Sequence, residues 1–147
     1  MLRKASAIWK GSLKEGKGNI STESGTLSNA QYSFSTRFEN GKGTNPEELI
    51  AAAHAGCFTM ALSGQLGAAG ITPESLETTA SVTLEKLEAG FTITKVHLDV
   101  AAYIPGVDQA KFDTAAANAK AGCPISRLLK AEITMTAKLV NEKSASA

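Results

Sequence analysis

No CxxC pair occurs in this sequence; its two cysteines, Cys57 and Cys123, stand 66 positions apart. That spacing excludes a local redox motif and leaves their pairing open. There are only two histidines, His54 and His97, and no G-x-S-x-G turn, so a serine hydrolase lacks its parts. No glycine-rich phosphate loop is present and no βαβ alternation is read, which argues against a dinucleotide-binding fold. No excess of one charge exists either. Lys plus Arg is 15 and Asp plus Glu is 14, giving a net charge of +1 without the basic footprint of a nucleic-acid binder. After Arg3 and Lys4 no apolar segment follows, so no secretory signal is expected and the chain reads as cytoplasmic. No repeat or linker is visible, and residues 1–147 read as a single domain. Hydrophobic residues are 43% of the chain, enough for one core.

The stretch from Leu49 through Pro73 lacks any charged residue and is long enough to span a bilayer. It is mostly Ala and Gly, with His54, Gln65 and several hydroxyls, and reads better as a buried core helix than as a membrane span. Asn45 caps it, Pro46 stands at its first position, Glu48 takes the capping-box place, and Gly67, Gly70 and Pro73 end it. Small or apolar residues surround its whole circumference, which predicts a central helix buried on all sides.

Before this helix, Gly16 to Gly18 and Glu23 to Gly25 read as turns between strands. Tyr32, Phe34, Thr36 and Phe38 alternate with Ser33, Ser35 and Arg37, which predicts a strand with Arg37 on its polar face. After the helix come a strand through Val82 and Leu84, a turn at Glu88–Gly90, and a strand from Phe91 to Tyr103. Asp108 caps a helix whose Phe112, Ala115, Ala116 and Ala119 share one face. Gly122-Cys123-Pro124 interrupts it before a short helix through Leu128 and Leu129. Ile133, Met135, Ala137 and Leu139 alternate as a last strand, and the tail from Asn141 reads as frayed. The order is that of an α+β protein.

A free cysteine is often only a small core hydrophobe. Cys123 differs because it precedes Pro124 at a helix start, where free N–H groups favour a thiolate. Cys57 lies mid-helix and needs a cation from elsewhere, for which Arg37 is the candidate. His54, Cys57, His97 and Cys123 make a rival four-ligand metal set, weakly signalled because no close ligand pair recurs. No metal and no cofactor is expected.

The segments Thr22-Glu23-Ser24-Gly25, Thr36-Arg37-Phe38-Glu39, Gly43-Thr44-Asn45-Pro46-Glu47-Glu48-Leu49, Ala52-Ala53-His54-Ala55-Gly56-Cys57-Phe58 and Ala121-Gly122-Cys123-Pro124-Ile125-Ser126 resemble the osmotically inducible protein C (OsmC) family. Its sister group is the organic hydroperoxide resistance proteins. The resemblance runs in order over nearly the whole chain. It leans to the OsmC branch, because Arg37 is read as coming from the Tyr32–Phe38 strand and not from the amino-terminal hairpin.

This resemblance implies antiparallel sheets around a long buried central helix, in an intertwined homodimer. It implies a cysteine-based peroxidase of the oxidative and osmotic stress response, acting on organic hydroperoxides. Cys57 is then the peroxidatic thiol and Cys123 the resolving thiol, with Arg37 and Glu47 supporting Cys57. The helix-start position alone favours Cys123 as nucleophile, so the order of the two thiols rests on the resemblance. A dithiol, in the family a lipoyl group, is the implied reductant. Phe58, Met60 and Leu62 are expected to wall an apolar peroxide pocket. Glu47 precedes Cys57 by ten residues, about 15 Å along a helix, so the two cannot touch within it: an intervening Arg can bridge part of the gap, or antiparallel packing against a second copy can bring Glu47 of one chain toward Cys57 of the other. A redox sensor or ligand-binding protein using the same cysteines without turnover is the alternative, and a structural stress protein would need neither.

Overall fold

The structure is a computed structural model, described here for residues 1–143. It divides into two compact units, Met1–Leu49 and the chain from Ile50 onward. The division falls in the first turn of the long helix.

In the first unit, β1 (Ala5–Lys10), β2 (Lys17–Thr22) and β3 (Ala30–Tyr32) form an antiparallel sheet in that order. The first turn lies at residues 13–15, slightly before the expected place, so Lys17 and Gly18 already belong to β2. Gly18 pairs with both Trp9 and Tyr32, whose rings lie 5.4 Å apart. A Cβ at Gly18 would collide with both rings, so only glycine allows this close approach.

The expected strand from Tyr32 to Phe38 is not formed. β3 stops at Tyr32, and Phe34–Phe38 is a short helix, α1. The cause is local. Ser33 Oγ accepts from the Thr36 N–H at 3.3 Å, and Thr36 Oγ1 accepts from the Ser33 N–H at 2.8 Å. This reciprocal cap satisfies two donors that a strand would have to pair elsewhere. Phe34 and Phe38 then stack one turn apart, their rings 4.9 Å from each other. Arg37 therefore projects from a helical turn and not from a strand face.

The long helix, α2 (Pro46–Ala68), starts as the sequence predicts. The Glu48 N–H donates to Asn45 Oδ1 at 2.7 Å, but the Glu48 carboxylate takes the Thr44 hydroxyl instead of closing the box. At its end Gly70 adopts φ +76°, with Gly70 N–H bonded to Gly67 and Ile71 N–H to Leu66. That is the left-handed glycine stop. Only one face is buried: His54, Phe58, Leu62 and Leu66, spaced four apart. Met60 is 80% exposed and Ala52, Ala53, Gly56 and Gly64 are open. The expectation of burial on all sides thus fails within one chain, because one core reaches only one side of a helix. α2 is long and apolar enough to cross a membrane, a test that core helices of soluble proteins also pass.

In the second unit, β4 (Ser75–Leu87) and β5 (Gly90–Tyr103) make a long antiparallel hairpin, turning at residues 88–89. α3 (Gln109–Gly122) is capped by Asp108, which accepts from the Lys111 N–H. α4 (Pro124–Leu128) follows, and β6 (Glu132–Leu139) completes the sheet β4-β5-β6. β6 runs parallel to β5. This overturns both the all-antiparallel expectation and the absence of βαβ alternation. A parallel neighbour needs a crossover, and α3 with α4 supplies it. Phe58, Leu62, Leu66, Val96, Leu98, Val100, Phe112, Ala116 and Cys123 form the core. Asn141 to Lys143 lie beyond β6, and the rest of the tail expected to fray, 144–147, lies outside the described residues.

Candidate active site

Packing of α2 against the α3–α4 junction brings together the two cysteines. The Sγ atoms of Cys57 and Cys123 are 2.8 Å apart, both as free thiols. Phe58 and Leu62 turn into the core beside Cys57, while α3 ends where Cys123 begins α4. Cys123 serves as C-cap of α3 and N-cap of α4, with Pro124 at the first helical position. The helix-start placement read from the sequence is therefore present.

Cys123 is fully buried and Cys57 is half-buried. Burial pushes the Cys57 thiol up from its ordinary value, and the neighbouring Cys123 adds to that. The Ile125 backbone N–H, in the first turn of α4, pulls it partly back. An unaided Cys57 is thus mostly protonated near neutral pH.

Within the first unit, Arg37 meets Glu47. Arg37 Nε and Nη2 donate to the same Glu47 oxygen, Oε1, at 3.0 and 2.7 Å. Glu47 Oε2 is buried without a partner among the described residues. Arg37 also borders a cavity of about 230 Å³ with Trp9, Leu13, Tyr32, Ser33, Phe34 and Phe38. This cavity is apolar and aromatic around one cation. Sequence reading missed it, placing the pocket wall on Phe58, Met60 and Leu62 instead. Phe58 and Leu62 are fully buried in the core, and Met60 stands on the opposite, exposed face of α2. Trp9 and Leu13 lie far from Arg37 in sequence, and only the β1–β2–β3 register brings Trp9 beside Tyr32.

The rival metal set does not assemble. His97 Nδ1 is 2.6 Å from Thr134 Oγ1 and its Nε2 is 3.3 Å from Thr136 Oγ1. Among the described residues no three His, Cys, Asp or Glu side chains come close enough to hold a metal ion. His54 is fully buried, with Nε2 2.7 Å from Ser126 Oγ and, among the described residues, no partner for Nδ1. Among the described residues this core histidine is thus satisfied at one ring nitrogen only.

The arrangement can do thiol redox chemistry. One half-buried and one buried thiol sit within bonding reach after a small movement, since a disulfide needs about 2.05 Å. A separate arginine, oriented by a carboxylate, borders an apolar cavity.

A family model described as OsmC-like protein matches residues 39–138. Glu47, Cys57 and Cys123 fall inside that range, and Arg37 just precedes it. The chain is 57% identical to the peroxiredoxin OsmC of Escherichia coli K12 over 137 residues, covering 93% of this chain and 96% of that one. It is 34% identical to an organic hydroperoxide resistance protein of Xanthomonas axonopodis over 100 residues, 67% of this chain and 68% of the other. The crystal structure of the organic hydroperoxide resistance protein OhrB of Bacillus subtilis superposes with a TM-score of 0.69 at 27% identity, covering 93% of this chain and 98% of that one.

Proposed function

The chain belongs to the OsmC-like protein family, and from that premise we propose that it is a thiol-dependent peroxidase that reduces organic hydroperoxides in a bacterial stress response. The observation that carries this reading is the contact of Cys57 and Cys123, 66 residues apart in sequence and 2.8 Å apart in space. It needs no bound cofactor and no metal.

Cys57 is the peroxidatic thiol. Its thiolate attacks one peroxide oxygen, the O–O bond breaks, and the alkoxide leaves with a proton as an alcohol. Cys57 is left as a sulfenic acid. The Cys123 sulfur then attacks the Cys57 sulfur. An S–S bond forms, the S–O bond breaks, and the departing hydroxide takes the Cys123 proton as water. An external dithiol, a lipoyl group in our reading, restores both thiols by exchange. Arg37 supplies the charge that offsets burial of the Cys57 thiolate, and Glu47 holds Arg37 in place. The aromatic cavity beside Arg37 favours peroxides with a carbon tail over hydrogen peroxide.

The working form is a cytoplasmic homodimer, with residues 1–147 acting as one domain of each copy. The open apolar face of α2 supports the dimer, since Met60, Gly56 and Ala53 offer an exposed apolar surface for a second copy. Glu47 and Cys57 lie about 15 Å apart along α2. An antiparallel second copy brings the Arg37–Glu47 pair of one chain toward the Cys57 of the other.

Turnover of cumene hydroperoxide with a dithiol tests the reading. Cys57→Ser is expected to abolish it. Cys123→Ser is expected to consume about one peroxide per site and then stall or oxidise further. Steady turnover by Cys57→Ser removes Cys57 from the mechanism. A single turnover by the parent protein, however much dithiol is added, favours a redox sensor.

A further inference from the structure

The step that joins the two cysteines depends on where α4 sits, and α4 has little of its own to hold it. It has five residues, no buried residue within it and no side-chain cap at Cys123. So short a helix is not stable by itself. Yet α4 gives Cys57 two things, the Cys123 thiol and the Ile125 N–H.

A second polar link joins the same two helices. His54 precedes Cys57 by three residues on α2, and Ser126 follows Cys123 by three on α4. His54 Nε2 and Ser126 Oγ are 2.7 Å apart. Moving backward along α2 matches moving forward along α4, so the helices run antiparallel where they touch. The thiol contact and the His54–Ser126 bond are neighbouring rungs of one seam. Nδ1 has no partner among the described residues, so the Nε2–Ser126 bond is the ring's one polar link there.

We propose that His54 and Ser126 are positioning residues for disulfide formation, holding α4 on α2 while Cys57 is a sulfenic acid. In the reduced protein the thiol contact itself ties the helices together. Oxidation puts an oxygen on Cys57 and breaks that contact. The His54–Ser126 rung is untouched by the chemistry and keeps Cys123 within attacking distance. The step it serves is the balanced condensation given above, in which Cys57 is reduced, Cys123 is oxidised and one water leaves. This inference rests on Cys123 being the resolving thiol.

Rapid mixing of the reduced protein with cumene hydroperoxide separates the two steps. Sulfenic acid is followed by dimedone trapping, and the Cys57–Cys123 disulfide by mass spectrometry of quenched samples. Ser126→Ala is expected to form sulfenic acid at the parent rate and the disulfide about three- to tenfold more slowly, the effect of one net hydrogen bond. Sulfinic acid then accumulates at excess peroxide. Ser126→Thr, which keeps the hydroxyl, is expected to restore the parent rate. A purely structural role would slow both steps together and lower the melting temperature without changing their ratio. Parent-like disulfide formation in Ser126→Ala overturns the inference while leaving Cys123 as the resolving thiol. If the parent protein itself forms no Cys57–Cys123 disulfide, both readings fall.

Discussion

Replacing Glu47 by Gln removes one charge while keeping the shape of the side chain, and so isolates what the carboxylate does for Arg37. Both donors of Arg37 rest on a single oxygen, at 3.0 and 2.7 Å. A Gln oxygen can take that place, but without the charge. Shielded hydrogen bonds to charged groups contribute about 1.5–3 kcal/mol, and fully exposed ion pairs about 0.2–1 kcal/mol. The Arg37 side chain is 39% exposed and Glu47 is 12% exposed, so the pair belongs between these limits after screening by water. A loss of about 1–1.5 kcal/mol in holding Arg37 corresponds to roughly a five- to tenfold fall in kcat/KM. Because Arg37 retains the charge proposed to act on Cys57, the fall should be nearly constant with pH. The assay is kcat/KM for cumene hydroperoxide from about pH 6 to 9, beside a thiolate absorbance titration of Cys57 in a Cys123→Ser background. Parent-like kcat/KM in Glu47→Gln would falsify the positioning role. A loss fully recovered at high pH would mean instead that Glu47 acts on the thiol titration itself.

Arg37→Met should behave differently: the Cys57 midpoint rises, since burial and Cys123 already push it up, and activity is lost most near neutral pH with partial recovery at higher pH. An unchanged midpoint removes Arg37 from thiolate stabilisation. Phe58→Ala should cost about 3–5 kcal/mol in urea unfolding, because Phe58 is fully buried at the centre of the core; a loss below about 1 kcal/mol would contradict that placement. Burial lowers the His54 pKa below its unfolded value of 6.5, so the unfolded chain binds the proton first. The resulting stability is complete above about pH 6.5 and is lost as pH falls through the lower folded value. Urea midpoints measured across that window should decline with acid, and less steeply in His54→Gln; identical slopes would show that another group sets the decline.

Sequence carried the local features and lost the long-range ones. Asn45-Pro46 and the Gly70 stop bracket α2 because caps are written in adjacent residues. The Phe112, Ala115, Ala116 and Ala119 face of α3 was legible for the same reason, as helical spacing is local. Tyr32 to Phe38 misled because its aromatics fit two periods. Phe34 and Phe38 are alternate residues of a strand and also one helical turn apart, and the Ser33–Thr36 cap settles the matter. Strand direction has no signature in a strand's own residues, so the parallel pairing of β5 with β6 could not be read. The thiol pair was found through its flanking motifs. The aromatic cavity and the His54–Ser126 rung depend on partners distant in sequence, and no spacing rule reaches them.

The open face of α2 has a consequence for how the protein lives in solution. The helix hides one side and leaves Met60 and its small neighbours bare. If a second copy covers that face, folding obeys mass action, and each tenfold dilution withdraws about 1.4 kcal/mol from the assembled state. Abundance then becomes a stabilising agent in its own right. Synthesising more of the chain would raise both the number of molecules and the resistance of each one to unfolding.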